Sequence, residues 1–119
     1  MIMLIDAHNF RRVILAAGKT DLRKGIDGLA ALVKSRFDLD PFEPDVLFLF
    51  CGTSKRKIKG LLWEGDGFLL LYKRAESGCF QWPRNTDEAM SLDAKQLSDL
   101  LHGLSGVSTI RPVQGVRPL

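Results

Sequence analysis

The sequence predicts an α+β fold: a mainly antiparallel β-meander sheet packed by one long helix, with a second helix near the C-terminus. Three patterns lead to this fold class. Apolar residues recur with a helical period after Thr20 and Asp21, two apolar runs flank a Glu-Gly-Asp-Gly turn at 64–67, and leucines recur at helical spacing after Ser91. With 119 residues, of which 45% are hydrophobic and 26% charged, the chain is expected to form a single domain over residues 1–105.

The long helix is predicted from about Asp21 to Phe37, with Thr20 or Asp21 as its N-terminal cap. Its apolar face is formed by Leu22, Ile26, Leu29, Val33 and Phe37. Gly25 and Gly28 fall inside this segment, where glycine is unfavourable unless something approaches closely. Packing of another backbone is the expected reason, and approach of a ligand or a nucleic-acid backbone is the alternative.

Strands are expected at five apolar segments: 11–17, 46–50, 58–63, 68–74 and 79–82. The segment 38–45 contains two prolines and four acids, so it is expected to be a loop. Asp66-Gly67 between two apolar runs is typical of a β-hairpin. Ser91 is expected to cap the second helix, and residues 106–119, which contain no acid, are expected to form an extended or disordered tail.

The charge of the chain is mild but unevenly distributed. The formal net charge is +3, yet residues 1–60 hold 11 basic and 7 acidic side chains, against 6 and 7 in residues 61–119. This distribution is typical either of an ordinary basic surface or of a surface that binds a polyanion. No segment is long and apolar enough to span a membrane, and no secretory signal is recognisable, so the expected location is the cytoplasm.

Four of the five residues 55–59 are basic, and they lie at the start of the predicted strand 58–63. Two further cations, Lys73 and Arg74, lie at the end of the predicted strand 68–74. In the hairpin, Lys57 and Lys59 fall across from residues 72–74, and like charges that face each other are unfavourable unless an anion lies between them. The predicted nucleic-acid-binding residues are Lys55, Arg56, Lys57, Lys59, Lys73 and Arg74, with Arg23, Lys24 and Lys19 beside the helix start as further candidates. The equally weighted alternative is that the lysines protect a sheet edge.

The aromatic residues of the same region allow two interpretations. They are Trp63, Tyr72, Phe80 and Trp82. Interleaved with cations, they suit stacking on nucleic-acid bases. The alternative is that they belong to the core.

The common catalytic and metal motifs do not fit. Gly18-Lys19-Thr20 resembles the end of a phosphate-binding loop, but Val13 stands where that loop needs a glycine. The two cysteines and two histidines are isolated in sequence, so no metal site and no cofactor are predicted. We therefore predict a protein without catalytic residues. A small metal-dependent nuclease remains as an alternative, and it would need several acids to converge.

Two ordered blocks resemble a known group of proteins. The first is Gly18–Ala30, which reads Gly-x-Thr-Asp-Leu-Arg-Lys-Gly-Ile-Asp-Gly-Leu-Ala. The second is spread over the strands: Leu47–Cys51, Ile58-Lys59, Trp63–Phe68, Tyr72–Arg74 and Phe80-x-Trp82-Pro83. Together, over about residues 11–104, they resemble the TnpB-type second-reading-frame proteins of the insertion-sequence-66 (IS66) family.

The resemblance implies a bacterial accessory factor of transposition that acts beside a separate transposase. It carries over no catalytic residue, because the family's mechanism does not assign any. Its implied partners are DNA, the transposase and another accessory protein of the same element. The alternative is a protein–protein adaptor in the transposition complex that makes no direct DNA contact. The chain departs from the family's pattern at 52–54 and at Lys57, where a more basic stretch and an acid are expected.

Overall fold

The structure, a computed structural model, describes residues 10–84 and 88–102. Its elements are β1 (Arg12–Ala16), α1 (Ile26–Phe37), β2 (Val46–Cys51), β3 (Lys57–Trp63), β4 (Phe68–Arg74), β5 (Ala89–Leu92) and α2 (Ala94–His102). The strands form a five-stranded sheet in the order β4-β3-β2-β1-β5. The fold is therefore α+β, with a mostly antiparallel sheet and two helices. The predicted tail at 106–119 lies outside the described residues.

One strand pair departs from the antiparallel pattern. β1 and β2 are parallel, with Arg12 opposite Val46 and Leu15 opposite Leu49. The pairs β2–β3, β3–β4 and β1–β5 are antiparallel. Parallel neighbours need a long connection that returns the chain to the same end of the sheet, and α1 with its flanking loops provides it. Consequently the segments that follow β1 and β2 emerge at the same end of the sheet.

Both faces of the sheet are covered. Ile14 and Phe48 point to the face on which α1 packs, whereas Leu15 and Leu49 point to the opposite face, beneath α2 and the segment 75–82. All six residues of β2 are buried, since this strand has neighbours on both sides and cover on both faces. We call these the α1 face and the α2 face.

The first helix is shorter than predicted. It begins at Ile26 and has 12 residues. The Asp21 carboxylate accepts a 3.0 Å hydrogen bond from the backbone N–H of Arg23, and the Asp21 carbonyl accepts another from Lys24, so residues 21–24 form a turn ahead of the helix. Asp21 therefore starts this turn and does not cap α1; Gly25 occupies the N-cap position.

Close backbone packing does not explain the two glycines. A Cβ atom added at Gly25 would meet nothing within 4 Å. At Gly28 the nearest atom would be the Lys24 Cβ at 3.0 Å, which belongs to a side chain just ahead of the same helix. The predicted approach of another backbone at these positions is wrong.

The segment 79–82 is not a regular strand. Phe80 and Trp82 nevertheless place their side chains in the core on the α2 face. The backbone N–H of Phe80 donates to the Lys55 carbonyl at 2.7 Å, and Trp82 Nε1 donates to the Ala16 carbonyl at 3.0 Å. Of the two interpretations of these aromatic residues, burial in the core is the one that holds. Their hydrogen-bond acceptors are the carbonyl of Lys55, in the turn after β2, and the carbonyl of Ala16, at the end of β1.

The second helix begins later than predicted. Ser91 belongs to β5, a short edge strand that the sequence pattern missed. The Asp93 carboxylate accepts a 2.7 Å bond from the Gln96 N–H, while Gln96 Oε1 accepts a 2.9 Å bond from the Asp93 N–H. This reciprocal pair is a capping box, so Asp93 is the cap of α2.

Candidate nucleic-acid interface

An open groove of about 1010 Å³ lies at one end of the sheet, on the α1 face. β1 and β2 end there, β3 begins there and β4 ends there. Since the chain leaves two adjacent parallel strands at this end, the loop 17–25 and the turn 52–56 separate and open a crevice between them. The charged side chains that line the groove are Lys19, Asp21, Arg23, Lys57 and Lys59. Four of these are cations and one is a carboxylate.

The two walls of the groove are tied to the sheet by backbone hydrogen bonds. The Thr20 N–H donates to the Cys51 carbonyl at 2.8 Å, and the Gly52 N–H donates to the Lys57 carbonyl at 3.0 Å. Thr20 is only 5% exposed, and its hydroxyl has no hydrogen-bond partner within residues 10–84 and 88–102. Thr20 therefore belongs to the lining of the groove, but its hydroxyl oxygen is itself buried.

Lys57 and Lys59 lie side by side on the α1 face of β3. Lys57 is opposite Arg74 in the register with β4, and Lys59 is opposite Tyr72, as the hairpin spacing predicted. The Lys59 ammonium donates a 3.2 Å hydrogen bond to the Lys24 carbonyl, which ties β3 to the loop after β1. The exposed Lys57 has no ion-pair partner in the described part of the chain.

The loop after β1 contributes two cations of different kinds. Arg23 forms an ion pair with Asp21 at 2.8 Å, and this hydrogen-bonded guanidinium holds the pKa of the Asp21 carboxyl well below its usual range. Lys19 is exposed and unpaired among the described residues. The net positive charge of the groove therefore comes from Lys19, Lys57 and Lys59 more than from Arg23.

Arg56 and Lys73, both predicted phosphate contacts, lie outside the groove. The Arg56 guanidinium donates to the carbonyls of Ala75 and Glu76, each at 3.1 Å, and holds the turn after β4. Lys73 extends on the α2 face, where its ammonium donates to the Leu101 carbonyl at 3.4 Å. Alternation along a strand separates Lys73 from the lysines of β3, because neighbouring residues point to opposite faces.

Lys55 and Arg74 border the groove region without lining it. Lys55 is half-buried in the turn after β2, at a left-handed φ of 60° that few non-glycine residues adopt. Arg74 shares the α1 face with Lys57 but forms a 2.7 Å ion pair with Glu76. The Arg74 guanidinium lowers the pKa of the Glu76 carboxyl, so this cation is already matched by an anion.

The aromatic residues divide between the core and the surface. Phe80 and Trp82 are buried, while Trp63 contacts Phe42 and Phe68 at the opposite end of β3, with ring centroids 5.0 and 4.9 Å away. Tyr72 is 55% exposed and lines the groove. Of the four aromatic residues for which stacking and core burial were both open, only Tyr72 lies beside the cations.

Arg84 supports the groove and was missed from the sequence, where it stands in a polar loop-like segment. Its guanidinium donates to the carbonyl of Gly52 and, at 3.2 Å, to that of Thr53, which fixes the turn after β2. Arg84 also approaches the Cys51 sulfur at 3.8 Å. Burial nevertheless raises the pKa of the Cys51 thiol to about 11, despite the cation nearby.

Within residues 10–84 and 88–102, no group of three or more histidine, cysteine, aspartate or glutamate side chains is placed to hold a metal ion. Among the same residues, no helix has the length and apolarity that crossing a membrane requires.

The family model described as "IS66 Orf2 like protein" matches residues 11–110 of the chain. This range includes both walls of the groove. The chain belongs to the IS66 Orf2-like family. Membership implies an accessory role in the transposition of IS66 elements, which agrees with the resemblance of the two sequence blocks. It is also consistent with a non-enzymatic role.

Two Sinorhizobium fredii proteins are similar to this IS66 Orf2-like chain. "Uncharacterized protein y4hO" is 36% identical over 116 residues, which cover 98% of this chain and 96% of that protein. "Uncharacterized protein y4jC" is 34% identical over 93 residues, which cover 78% and 79%. No solved structure matches the chain.

Proposed function

We propose that this IS66 Orf2-like protein is a non-catalytic accessory factor of transposition that binds the phosphate backbone of DNA through the groove on its α1 face. The observation that carries the proposal is the convergence of Lys19, Lys57 and Lys59 on one groove. These residues come from two segments that are distant in sequence. Amino groups gathered in this way, with Asp21 as the only carboxylate among the described residues that line the groove, favour a polyanionic ligand.

The groove also offers an aromatic group that suits a nucleic acid. The exposed Tyr72 ring can stack on a base or pack on a sugar. Contacts with phosphates fix position and supply affinity but do not read base sequence. We therefore assign recognition of the element's ends to another component, such as the transposase.

A second candidate function is favoured by a different feature. Phe42 is 49% exposed and forms an aromatic cluster with Trp63 and Phe68 at the opposite end of β3. Aromatic side chains of this kind are common at the centre of protein–protein interfaces. If this cluster carries the function, the protein is an adaptor that binds the transposase or another accessory protein, and DNA contact is dispensable.

Binding of a labelled DNA duplex, measured by fluorescence polarisation at about 50 mM salt, tests the proposal. The test variant combines Lys19→Ala, Lys57→Ala and Lys59→Ala. The matched control combines Arg12→Ala, Lys34→Ala and Lys95→Ala, which remove the same charge from exposed positions that do not line the groove. We expect the groove variant to bind about tenfold more weakly or worse, and the control variant to stay within about threefold of the wild type.

Three results would contradict the proposal. Equal weakening in both variants would show that net charge, not the groove, governs binding. Absence of wild-type binding at low salt would favour the adaptor function, and the aromatic cluster would then be the surface to change. Cleavage of a plasmid in magnesium or manganese would instead support the nuclease alternative.

A further inference from the structure

β4 is the outer strand on one side of the sheet. All seven of its residues pair with β3, from Phe68 opposite Trp63 to Arg74 opposite Lys57. No described strand pairs with its other side. The outer side therefore presents a row of backbone N–H and C=O groups that another strand can pair with.

The composition of β4 does not discourage such pairing. Residues 68–72 are Phe-Leu-Leu-Leu-Tyr, and both charges of the strand, Lys73 and Arg74, lie at one end. The register with β3 is continuous, without a bulge, and the strand has no proline. Edge strands that resist association usually carry such interruptions or a charge near the middle. By contrast, β5 at the opposite edge has only four residues.

We infer that a second copy of this chain pairs with β4 in antiparallel orientation, about a two-fold axis at Leu71. Residues directly opposite each other would then be Leu71 with Leu71, Leu70 with Tyr72, Leu69 with Lys73, and Phe68 with Arg74. The distribution of charge favours this orientation. Antiparallel pairing places Lys73 and Arg74 of the two copies at opposite ends of the interface. Parallel pairing would instead place each of these cations beside the same cation of the second copy, which is unfavourable.

The pairing has a consequence for the groove. A two-fold axis perpendicular to the sheet continues it to ten strands and leaves both α1 faces on the same side. Leu70 and Tyr72 line the groove. In the dimer, Leu70 of each copy would lie opposite Tyr72 of the other copy. The two grooves would therefore adjoin across the axis and form one basic surface, which goes beyond the single-chain site proposed above.

The mass of the full chain in solution, measured without DNA by light scattering during size-exclusion chromatography, tests this inference. We expect the wild type to show twice the chain mass of 13.3 kDa. Tyr72→Glu changes an exposed residue, so it should preserve the fold, but it places a carboxylate against apolar Leu70 of the second copy and should give the single-chain mass. Met90→Glu, at an exposed apolar position on the other edge, is the control and should retain twice the chain mass.

A register-specific cross-link keeps the inference testable if Tyr72→Glu unfolds. Leu70→Cys and Tyr72→Cys are prepared separately in a Cys79→Ser background and then oxidised alone and as a mixture. We expect the mixture to give several-fold more covalent dimer than either protein alone, because only unlike positions face each other. A wild type with the mass of one chain, or a mixture that cross-links no better than its components, would overturn the inference. The second result would mean that β4 pairs with the second copy in another register, or that residues other than β4 of a second copy cover this edge.

Discussion

The ammonium of Lys59 donates a 3.2 Å hydrogen bond to the carbonyl oxygen of Lys24, a residue 35 positions earlier in the chain. The contact joins β3 to the loop after β1, and so joins the two sequence blocks that characterise this IS66 Orf2-like chain. The bond leaves the positive charge of Lys59 in place, since a carbonyl carries no compensating charge. The groove is thus a tertiary feature, and one of its own cations ties the loop 17–25 to β3.

Replacement of the Asp21 carboxylate, which lines the groove, should strengthen DNA binding. Asp21→Asn removes a negative charge and releases Arg23 from its 2.8 Å ion pair, while the amide oxygen can still accept the Arg23 backbone N–H. We expect the dissociation constant for duplex DNA to fall several-fold at low salt. Fluorescence polarisation measures it directly.

The control for this change is Asp66→Asn, which removes an equal charge from the exposed hairpin turn at the far end of β3. It should change DNA affinity much less. If both substitutions strengthen binding equally, the position of the charge is irrelevant. If Asp21→Asn weakens binding, the Asp21–Arg23 pair has a role that the groove electrostatics do not capture.

The two cysteines should differ strongly in reactivity. Cys51 is buried, and burial raises the pKa of its thiol to about 11, whereas Cys79 is half-exposed. Because the thiolate is the reactive form, alkylation of native protein at pH 8 should label Cys79 first and Cys51 only after unfolding. As the pH rises toward 11, labelling of Cys51 should accelerate, since the thiolate fraction increases about tenfold per pH unit. Peptide mass spectrometry after timed iodoacetamide treatment distinguishes the sites, and equal labelling at pH 8 would contradict the prediction.

Substitution of Gly60 should destabilise the fold through the core that surrounds it. Gly60 is buried in β3, where an added Cβ would lie 3.2 Å from Leu47 Cδ1 and 3.3 Å from Leu49 Cδ2. We expect Gly60→Ala to reduce the free energy of unfolding by about 1–3 kcal/mol, because the core on the α2 face must shift. Urea unfolding measures the change. Gly67→Ala, with nothing within 4 Å of its Cβ, should stay within about 0.5 kcal/mol, and a similar loss in both would refute the packing argument.

Local patterns predicted the central strands correctly. The apolar run at 46–50 and the Asp66-Gly67 turn determined β2 and the β3–β4 hairpin, because central burial and tight turns depend on neighbouring residues. The register of Lys59 with Tyr72 followed from the same turn. The start of α1 was misplaced because the Asp21 side chain bonds the backbone two residues on and forms a turn, which competes with helix capping.

The groove itself could not be predicted from local patterns. It exists because β1 and β2 are parallel neighbours, and this pairing joins Lys19 to Lys57 across a long stretch of chain. Alternation could have excluded Lys73, whose position next to Tyr72 places it on the other face. The sequence could not distinguish Arg56 and Arg84 from cations that bind a ligand, because residue type alone does not show what a guanidinium contacts. Only the fold shows that both donate to loop carbonyls.

The salt dependence of DNA binding tests whether the groove cations contact phosphates. The logarithm of the dissociation constant is measured against the logarithm of the salt concentration for the wild type and for the combined Lys19→Ala, Lys57→Ala and Lys59→Ala variant. Each lost phosphate contact to duplex DNA changes the slope by about 0.9, so the slope of the variant should be shallower by about 2 to 3. Equal slopes for the two proteins would show that these lysines contact no phosphate and would contradict the proposed DNA-binding function of the groove.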